Sequence, residues 1–558
     1  MDLLKEVESN LKAAIKESVL SIDSSHSWEM PSITLDIPKT KEHGNFATNI
    51  AMQLARHLQM APKMIAEQIV ENLNQEKAGV KKAEIAGPGF INFFMEETFL
   101  NEVVNIVLKE QDDYGKSDFG RNKRQQVEFV SVNPTGALHL GHARGAAFGD
   151  VLCNVLAAAG YDVEREYYIN DAGNQIDQLA KSIETRYFQA LGKEAEMPKD
   201  GYYAEDIVNL GKRLVEEFSD EWVAKEEKER LSFFREYGLK YELGKIEQDL
   251  TEFGVIFDKW FSETSLYESG EIDNMLEILQ EKGFIYTEDG ATWFKSTEFG
   301  DDKDRVLIKN DGTYTYLTPD IAYHKNKLER GFEKVINVWG ADHHGYIPRM
   351  SAAIQALGYP KEALSVKIIQ MVNAIENDEI VRMSKRTGKM ITLKDLMEDV
   401  GVDAVRYFFI MRSNDSKLDF NIDLARTQSN ENPVYYVQYA HARICTMLKQ
   451  AEEKGILVNK ETDYHLDLLT TEKEMDVIKQ LALFPNIIKE AAIREEPYRM
   501  TQYAFDLATV LHSFYNAEKV INDENIQLTK ARIALMQAVK ITIANVSRII
   551  GVSAPNKM

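Results

Sequence analysis

The stretch QQVEFVSVNPTGALHLGHARGAAFGDVLCNVLAAAGYDVEREYYIN, residues 125–170, reads as strand, turn, helix and strand. QQVEFVSV is a nearly continuous apolar run, the pattern of a parallel strand buried on both faces. ARGAAFGDVLCNVLAAAG follows as a helix that stops at Gly160, because glycine tolerates the left-handed C-terminal position. YDVEREYYIN is a second strand. The unit is βαβ, the seed of a doubly wound sheet, in which ligands bind outside the carboxyl ends of the strands. His139-Leu140-Gly141-His142 sits at that first βα turn, where helix N-terminal amides accept phosphate. Gly141 admits a flat base or ribose close to the backbone. The two histidines can donate to phosphate oxygens as charge develops on them. Taken alone, the pattern is as readily a pair of polar turn residues.

Further strands are expected at RVLIK (305–309), TYTYL (313–317), KVINVWG (334–340) and SVKIIQMV (365–372). The Asn-Asp-Gly turn at 310–312 makes RVLIKNDGTYTYL a hairpin. Between about 180 and 300 the chain is charged and mostly helical, as an insertion into the sheet domain would be. From 421 the pattern is wholly helical. At the other end, Leu3, Leu4, Val7, Leu11, Ile15 and Val19 recur at helical spacing, and AGPGFINFF (86–94) reads as a turn entering a strand. The expected architecture is α/β. An α+β N-terminal domain (1–118) precedes a doubly wound parallel, Rossmann-type catalytic domain (119–420), and an all-α domain (421–558) follows it.

At 558 residues the chain is too long for one compact core. Its two cysteines, Cys153 and Cys445, supply neither a disulfide framework nor a CxxC zinc knuckle. The first twenty residues alternate in charge and do not form a signal peptide, and no apolar run is expected to reach membrane-spanning length. The net charge of −23 excludes a uniformly basic surface but leaves room for a local basic patch that binds phosphates.

A second motif, VRMSKRTGKMITL (381–393), clusters Met383, Ser384, Lys385 and Arg386 ahead of Thr387-Gly388-Lys389. By itself it reads as a solvated basic loop. Paired with HLGH on one α/β scaffold, it suits clamping of a triphosphate, with lysine acting as a point charge. The two motifs resemble the HIGH and KMSKS signatures of class I aminoacyl-tRNA synthetases, with Arg382 standing where the second signature has its first lysine. VEFVSVNPTGALHLGHARG, YLTPDIAYH, DAVRYFFI, NPVYYVQYAHAR and the closing GVSAPNKM together resemble the arginyl-tRNA synthetase family over the whole chain.

The resemblance implies ligation of arginine to tRNA(Arg) through an arginyl-adenylate, with release of AMP and pyrophosphate. His139, His142 and Lys385 would be catalytic. His139, Gly141, His142, Gly340, Asp342, His343, Met383, Ser384 and Lys385 would line the ATP site. Glu128, Asn133, Tyr316 and Asp320 would hold arginine, carboxylates being the natural partners of a planar guanidinium. Without the family pattern, Glu128 is a strand-edge charge and Asp320 the N-cap of a helix beginning IAYHKNKL. Phe90 and Asn92 would meet the D-loop corner of the tRNA. Tyr436, Tyr439, Arg443, Tyr515 and Met558 would meet the anticodon, although a tyrosine stripe is as readily core packing. The expected cofactors are ATP and its accompanying Mg²⁺, with no other metal site. The expected partners are tRNA(Arg) and L-arginine, for a cytoplasmic monomer that engages no membrane. The rivals are a class I synthetase for another amino acid and an inactive paralogue that only binds RNA.

Overall fold

The computed structural model describes residues 3–23, 29–36, 38, 40–96, 100–381, 390–456 and 464–558. At the N-terminus the periodic apolar residues form the helix Leu3–Ile22, and Val7, Leu11, Ile15 and Val19 are buried. Strands β1 (Phe46–Thr48), β2 (Val80–Ala86) and β3 (Phe90–Met95) make an antiparallel sheet with β3 central. This is the expected α+β unit.

β4 (Arg124–Glu128) ends sooner than its apolar run suggests. Val130 and Ser131 adopt left-handed φ values of +68° and +43°, an uncommon conformation for a β-branched residue. Tertiary bonds hold the turn. The Tyr167 hydroxyl donates to the Val132 carbonyl at 2.8 Å, and the Tyr168 amide donates to Ser131 Oγ at 3.1 Å. The chain then enters the helix Leu140–Ala158 and returns in β5 (Asp162–Ile169), parallel to β4.

The expected insertion holds three helices, Asn174–Ala190, Glu205–Phe218 and Glu227–Glu252, packed around Ile183, Tyr187, Leu214 and Phe234. Two shorter helices, Thr264–Glu268 and Glu271–Glu281, follow within the same interval, which is thus mostly helical but carries strands as well. β6 (Lys259–Ser262) rejoins the central sheet as an edge strand, too short among its helical neighbours to show a period. β7 (Ile285–Glu288), β8 (Ala291–Phe294) and β9 (Arg305–Ile308) form a separate antiparallel sheet. The expected hairpin over 305–317 shrinks to one bridge, Ile308 to Tyr314. A helix already starts at Leu317, and β8 takes the edge of β9.

β10 (Lys334–Gly340) and β11 (Leu364–Ile369) complete the central sheet, which runs β11-β10-β4-β5-β6 with every pair parallel. Strand order reverses between β4 and β10, so a crevice opens above their carboxyl ends. β12 (Val372–Glu376), β13 (Glu379–Val381) and β14 (Leu418–Asn421) form a small sheet beside it.

From 422 onward the chain is helical as expected, with Pro433–Glu453, Glu472–Arg494, Tyr498–Ala517 and Ile526–Ile550 as its long helices. The last of these corrects one expectation. Its mean hydropathy of 1.4 over 18 residues and its 25-residue length are enough to cross a membrane. Two thirds of that window (67%) is buried inside the protein, which makes it the core helix of the bundle.

The helix Leu140–Ala158 is buried almost all round, with the sheet on one side and the C-terminal bundle on the other. Its small residues permit this. A Cβ on Gly149 would lie 2.2 Å from the Phe129 ring, so only glycine lets the helix approach the sheet this closely. Buried charge anchors the far side. Arg406 Nη2 donates to Asp150 Oδ2 at 2.5 Å and to the Ile550 carbonyl at 3.1 Å, while its Nη1 donates to the Phe253 carbonyl at 3.0 Å. Replacing Arg406 with Met leaves Asp150 with the longer Arg165 contact and strands two helix-terminal carbonyls. The expected cost is about 3–5 kcal/mol, read as unfolding at lower urea. Unfolding at the wild-type urea concentration would rule out the anchor.

Candidate active site

His139 is the N-cap of the helix Leu140–Ala158, with extended backbone, and its Nδ1 accepts from the Gly141 amide at 3.1 Å. His142 Nδ1 accepts from the His139 amide at 3.4 Å. The two rings stack with centroids 3.4 Å apart. Partial burial pushes both imidazoles below their usual pKa. His142, further opposed by charge on His139, falls to about 3. Both rings are therefore neutral at physiological pH. A neutral imidazole that accepts at Nδ1 carries its proton on Nε2, so each ring keeps one donor beyond the capping bonds.

The motif around 384 lies outside the described residues, including Arg382, Met383, Ser384 and Lys385. Its exit is well placed. Thr392 bridges to His139, and the Leu393 amide donates to the Leu138 carbonyl at 2.7 Å. The chain leaving RMSK is thus tied to HLGH. Arg144, one turn along the helix, ties the far side: Nη1 donates to the Gln370 and Ser416 carbonyls and Nη2 to that of Ser413, at 2.8–2.9 Å.

Gly340 closes β10, the strand beside β4, so it stands at the same crevice. Asp342 and His343 follow in a short 3-10 turn and are both exposed, with His343 Nε2 3.4 Å from Asp342 Oδ2. Among the described residues, no group of three or more His, Cys, Asp or Glu side chains is arranged to hold a metal ion.

Glu128, at the end of β4, is no strand-edge charge. β4 is the central strand, and Glu128 is buried with its Oε2 2.5 Å from Lys327 Nζ. Asp320 does not cap its helix either. The helix starts at Leu317, so Asp320 lies within the first turn and accepts from the Tyr346 hydroxyl at 2.6 Å. Tyr316, the residue preceding the helix, is 79% exposed. Asn133 is exposed in the loop before HLGH.

The structure adds groups that sequence reasoning missed. Glu263, one residue beyond β6, is buried, and the Tyr267 hydroxyl lies 3.4 Å from its carboxylate. Asp320 is pushed up to about 7, chiefly by burial and then by repulsion from Glu128 and Glu263, against the bond from Tyr346. Burial likewise raises Glu263. Tyr168 is raised by burial and by the three carboxylates. Glu128, Glu263 and Asp320 therefore share one acidic, phenol-lined pocket at the carboxyl end of the sheet, suited to a planar cation. Tyr346 ends the 3-10 turn Ala341–Tyr346, three residues beyond His343. Glu263 carried no signal, because β6 was hidden in the insertion.

Phe90 is 39% exposed, as a stacking residue needs, whereas Asn92 in the same strand is 6% exposed. Both lie in β3, the central strand of the N-terminal sheet, with Phe90 at its exposed start and Asn92 further in. In the C-terminal domain, Tyr436 packs on Phe505 and His512, Tyr439 lies against His512 and Tyr435, and Arg443 stands 4.4 Å over the Tyr515 ring. The tail runs along the same helix, where His441 Nδ1 lies 2.9 Å from the Pro555 carbonyl, and it ends in half-exposed Met558.

Three family profiles match the chain: an arginyl tRNA synthetase N-terminal domain over residues 5–95, a class I (R) tRNA synthetase catalytic domain over 102–439, and a DALR anticodon binding domain over 437–558. Arginine–tRNA ligases of Anoxybacillus flavithermus and Geobacillus kaustophilus are each 60% identical over 558 residues, covering all of both chains. Two arginyl-tRNA synthetase structures share the fold. That of Thermus thermophilus has a TM-score of 0.71 at 21% identity and covers 98% of this chain and 100% of its own. That of Plasmodium falciparum has a TM-score of 0.73 at 18% identity and covers 99% of each.

Replacing His142 with Ala should lower the rate of ATP–pyrophosphate exchange about 10²–10³-fold, the scale for one lost transition-state donor. The KM for ATP should change little. An elevated KM with unchanged kcat would assign His142 to ground-state binding. With all substrates saturating, any titration of these two histidines in the rate should fall below pH 6.5, because burial lowers both rings.

Proposed function

We propose, from the premise that the chain belongs to the arginyl-tRNA synthetase family and is an ATP-dependent arginine–tRNA ligase, that Asp320 is the main partner of the arginine guanidinium. Glu263 and Tyr316 complete its pocket and Glu128 assists. The observation that carries this reading is the cluster of three carboxylates at the carboxyl end of the sheet, one of them held near neutrality by the other two and by burial. Guanidinium relieves that repulsion, whereas a neutral side chain of similar length leaves the carboxylates uncompensated. Asn133, in the loop between pocket and HLGH, holds the α-amino or α-carboxylate end.

The arginine carboxylate attacks the α-phosphorus of ATP in line, forming arginyl-adenylate as pyrophosphate leaves. The terminal ribose hydroxyl of tRNA(Arg) then attacks the adenylate carbonyl and AMP departs. Positioning and charge stabilisation are the protein's contribution. His139 and His142 donate to phosphate oxygens from Nε2, and Lys385 supplies positive charge. Gly141, Gly340, Asp342, His343, Met383 and Ser384 line the nucleotide site. Mg²⁺ would ride on the triphosphate with its own waters, shielding phosphate charge.

Phe90 meets the D-loop corner of the tRNA. Tyr436, Tyr439, Arg443, Tyr515 and Met558 meet the anticodon. The enzyme acts as a cytoplasmic monomer, with tRNA bound before arginine is activated.

Asp320→Asn preserves shape but removes charge. Arginine affinity should fall more than tenfold, since a charge-assisted bond contributes about 1.5–3 kcal/mol. Unchanged affinity in a folded variant would move guanidinium recognition elsewhere. Phe90→Ala should blunt discrimination among transcripts altered in the D-loop, and Tyr436→Ala among transcripts altered in the anticodon, each costing about 1–3 kcal/mol. Identical responses of the two variants to both transcript sets would refute that division of labour.

A further inference from the structure

Behind the acidic pocket lies a fully buried ammonium. Lys327 has no exposed side-chain surface, and its Nζ is 2.5 Å from Glu128 Oε2. It also donates to Asn337 Oδ1 at 3.0 Å and lies 4.2 Å from the centre of the Tyr323 ring. Glu128 and Asn337 are paired across neighbouring strands β4 and β10, so one lysine spans both.

The chain of bonds continues. Asn337 Nδ2 lies 2.6 Å from His324 Nε2, and His324 Nδ1 lies 2.8 Å from the Asp320 carbonyl oxygen. Each link has one sensible direction. Lysine donates to the amide oxygen, the amide nitrogen donates to Nε2, and Nδ1–H donates to the carbonyl. That sequence requires a neutral His324, and burial beside Lys327 holds its pKa down to about 3.

We propose that Lys327 is a positioning residue for arginine recognition. Its ammonium fixes Glu128 directly, fixes the helical turn of Asp320 through Asn337 and His324, and is the countercharge that lets three carboxylates share one pocket. The proposal rests on the reading of Asp320 as the guanidinium partner.

The charges facing the pocket account for the choice. Glu128 projects from β4, Glu263 follows β6, and Asp320 lies on the helix Leu317–Glu329. Tyr168, Tyr267 and Tyr346 add phenols from β5, from Thr264–Glu268 and from the turn before Ile347. Arg349 sits over the Tyr346 ring, outside the pocket. On the same helix, Arg330 is consumed by Glu164 and Glu166, and Glu166 also accepts from Tyr323. Among the described residues, Lys327 is thus the cation that Asp320 feels most. Removing it leaves Glu128 to repel Asp320 uncompensated, so Asp320 would hold its proton to higher pH and meet guanidinium uncharged.

The test is arginine affinity of the full-length protein from pH 6 to 9, alongside the KM for ATP. For wild type, affinity should decline as pH falls through about 7, where Asp320 takes up its proton. Lys327→Met should move that midpoint upward by about one unit or more. The resulting deficit at pH 7 should be about fivefold or greater, recover towards pH 9, and leave the KM for ATP within about twofold of wild type, below the pocket effect. Glu128→Gln should move the midpoint the opposite way, because Lys327 then acts on Asp320 unopposed, and it serves if the lysine variant does not fold. The double variant should return close to the wild-type midpoint. Lys327→Met with an equal loss at every pH, or Glu128→Gln with an unmoved midpoint, would overturn the proposal. Asp320→Asn run in parallel separates the two failures: if it leaves arginine affinity intact, the pocket reading fails as well.

Discussion

The helix Leu140–Ala158 does two jobs, and the contact between Arg406 and Asp150 makes them compatible. Its first turn must face ligand, with the Nε2 donors of its two imidazoles left over from capping. The rest must be buried on all sides, because sheet and C-terminal bundle both pack on it. A buried carboxylate in such a helix is tolerable only with a partner. Asp150 has two, Arg406 at 2.5 Å and Arg165 at 3.3 Å. Arg406 in turn takes up the last carbonyl of the C-terminal helix and the end of the insertion's longest helix. Gly551 is what lets it in: a Cβ there would lie 2.2 Å from the guanidinium. One side chain thus registers the tRNA-facing bundle, the insertion and the catalytic helix against one another.

The same economy of charge governs the two halves of the crevice. On the proposed nucleotide side the histidines are neutral and capped on Nδ1, which suits them to act as fixed dipoles as phosphate charge grows. On the amino-acid side, burial concentrates negative charge until one carboxylate is near half-protonated. A cation is the ligand that resolves this. In the proposed reading, selectivity follows because the cluster is unfavourable when empty or when filled by a neutral side chain.

Much of this was legible in the chain itself. The βαβ unit, β10 and β11, and the helical C-terminus follow from apolar runs and their periods, which burial rewards directly. HLGH could be placed at a strand-to-helix turn for the same reason. β6 could not, being four residues long among helices, and with it Glu263 was missed. The strand expected at 313–317 failed because the helix begins at Leu317 and competes for the same residues. The nucleic-acid residues divide similarly. Phe90 is exposed, as the stacking role proposed for it needs, while Asn92, two residues on in the same strand, is buried, which the sequence did not reveal. Lys327 sits in YHKNKLER, where nothing marks it as a buried charge; tertiary packing buries it together with Tyr323, His324, Lys325 and Leu328.

The central claim is that arginine is recognised by a carboxylate held near neutrality until guanidinium arrives. Binding must then expel a proton. Calorimetric titration of the protein with arginine at pH 7, repeated in buffers of different ionisation enthalpy, counts that proton directly. With Asp320 titrating at about 7, roughly half a proton should be released per arginine bound, and the release should vanish in Asp320→Asn. Heats independent of the buffer at pH 7 would contradict the account, because Asp320 would then already be charged before its ligand arrived.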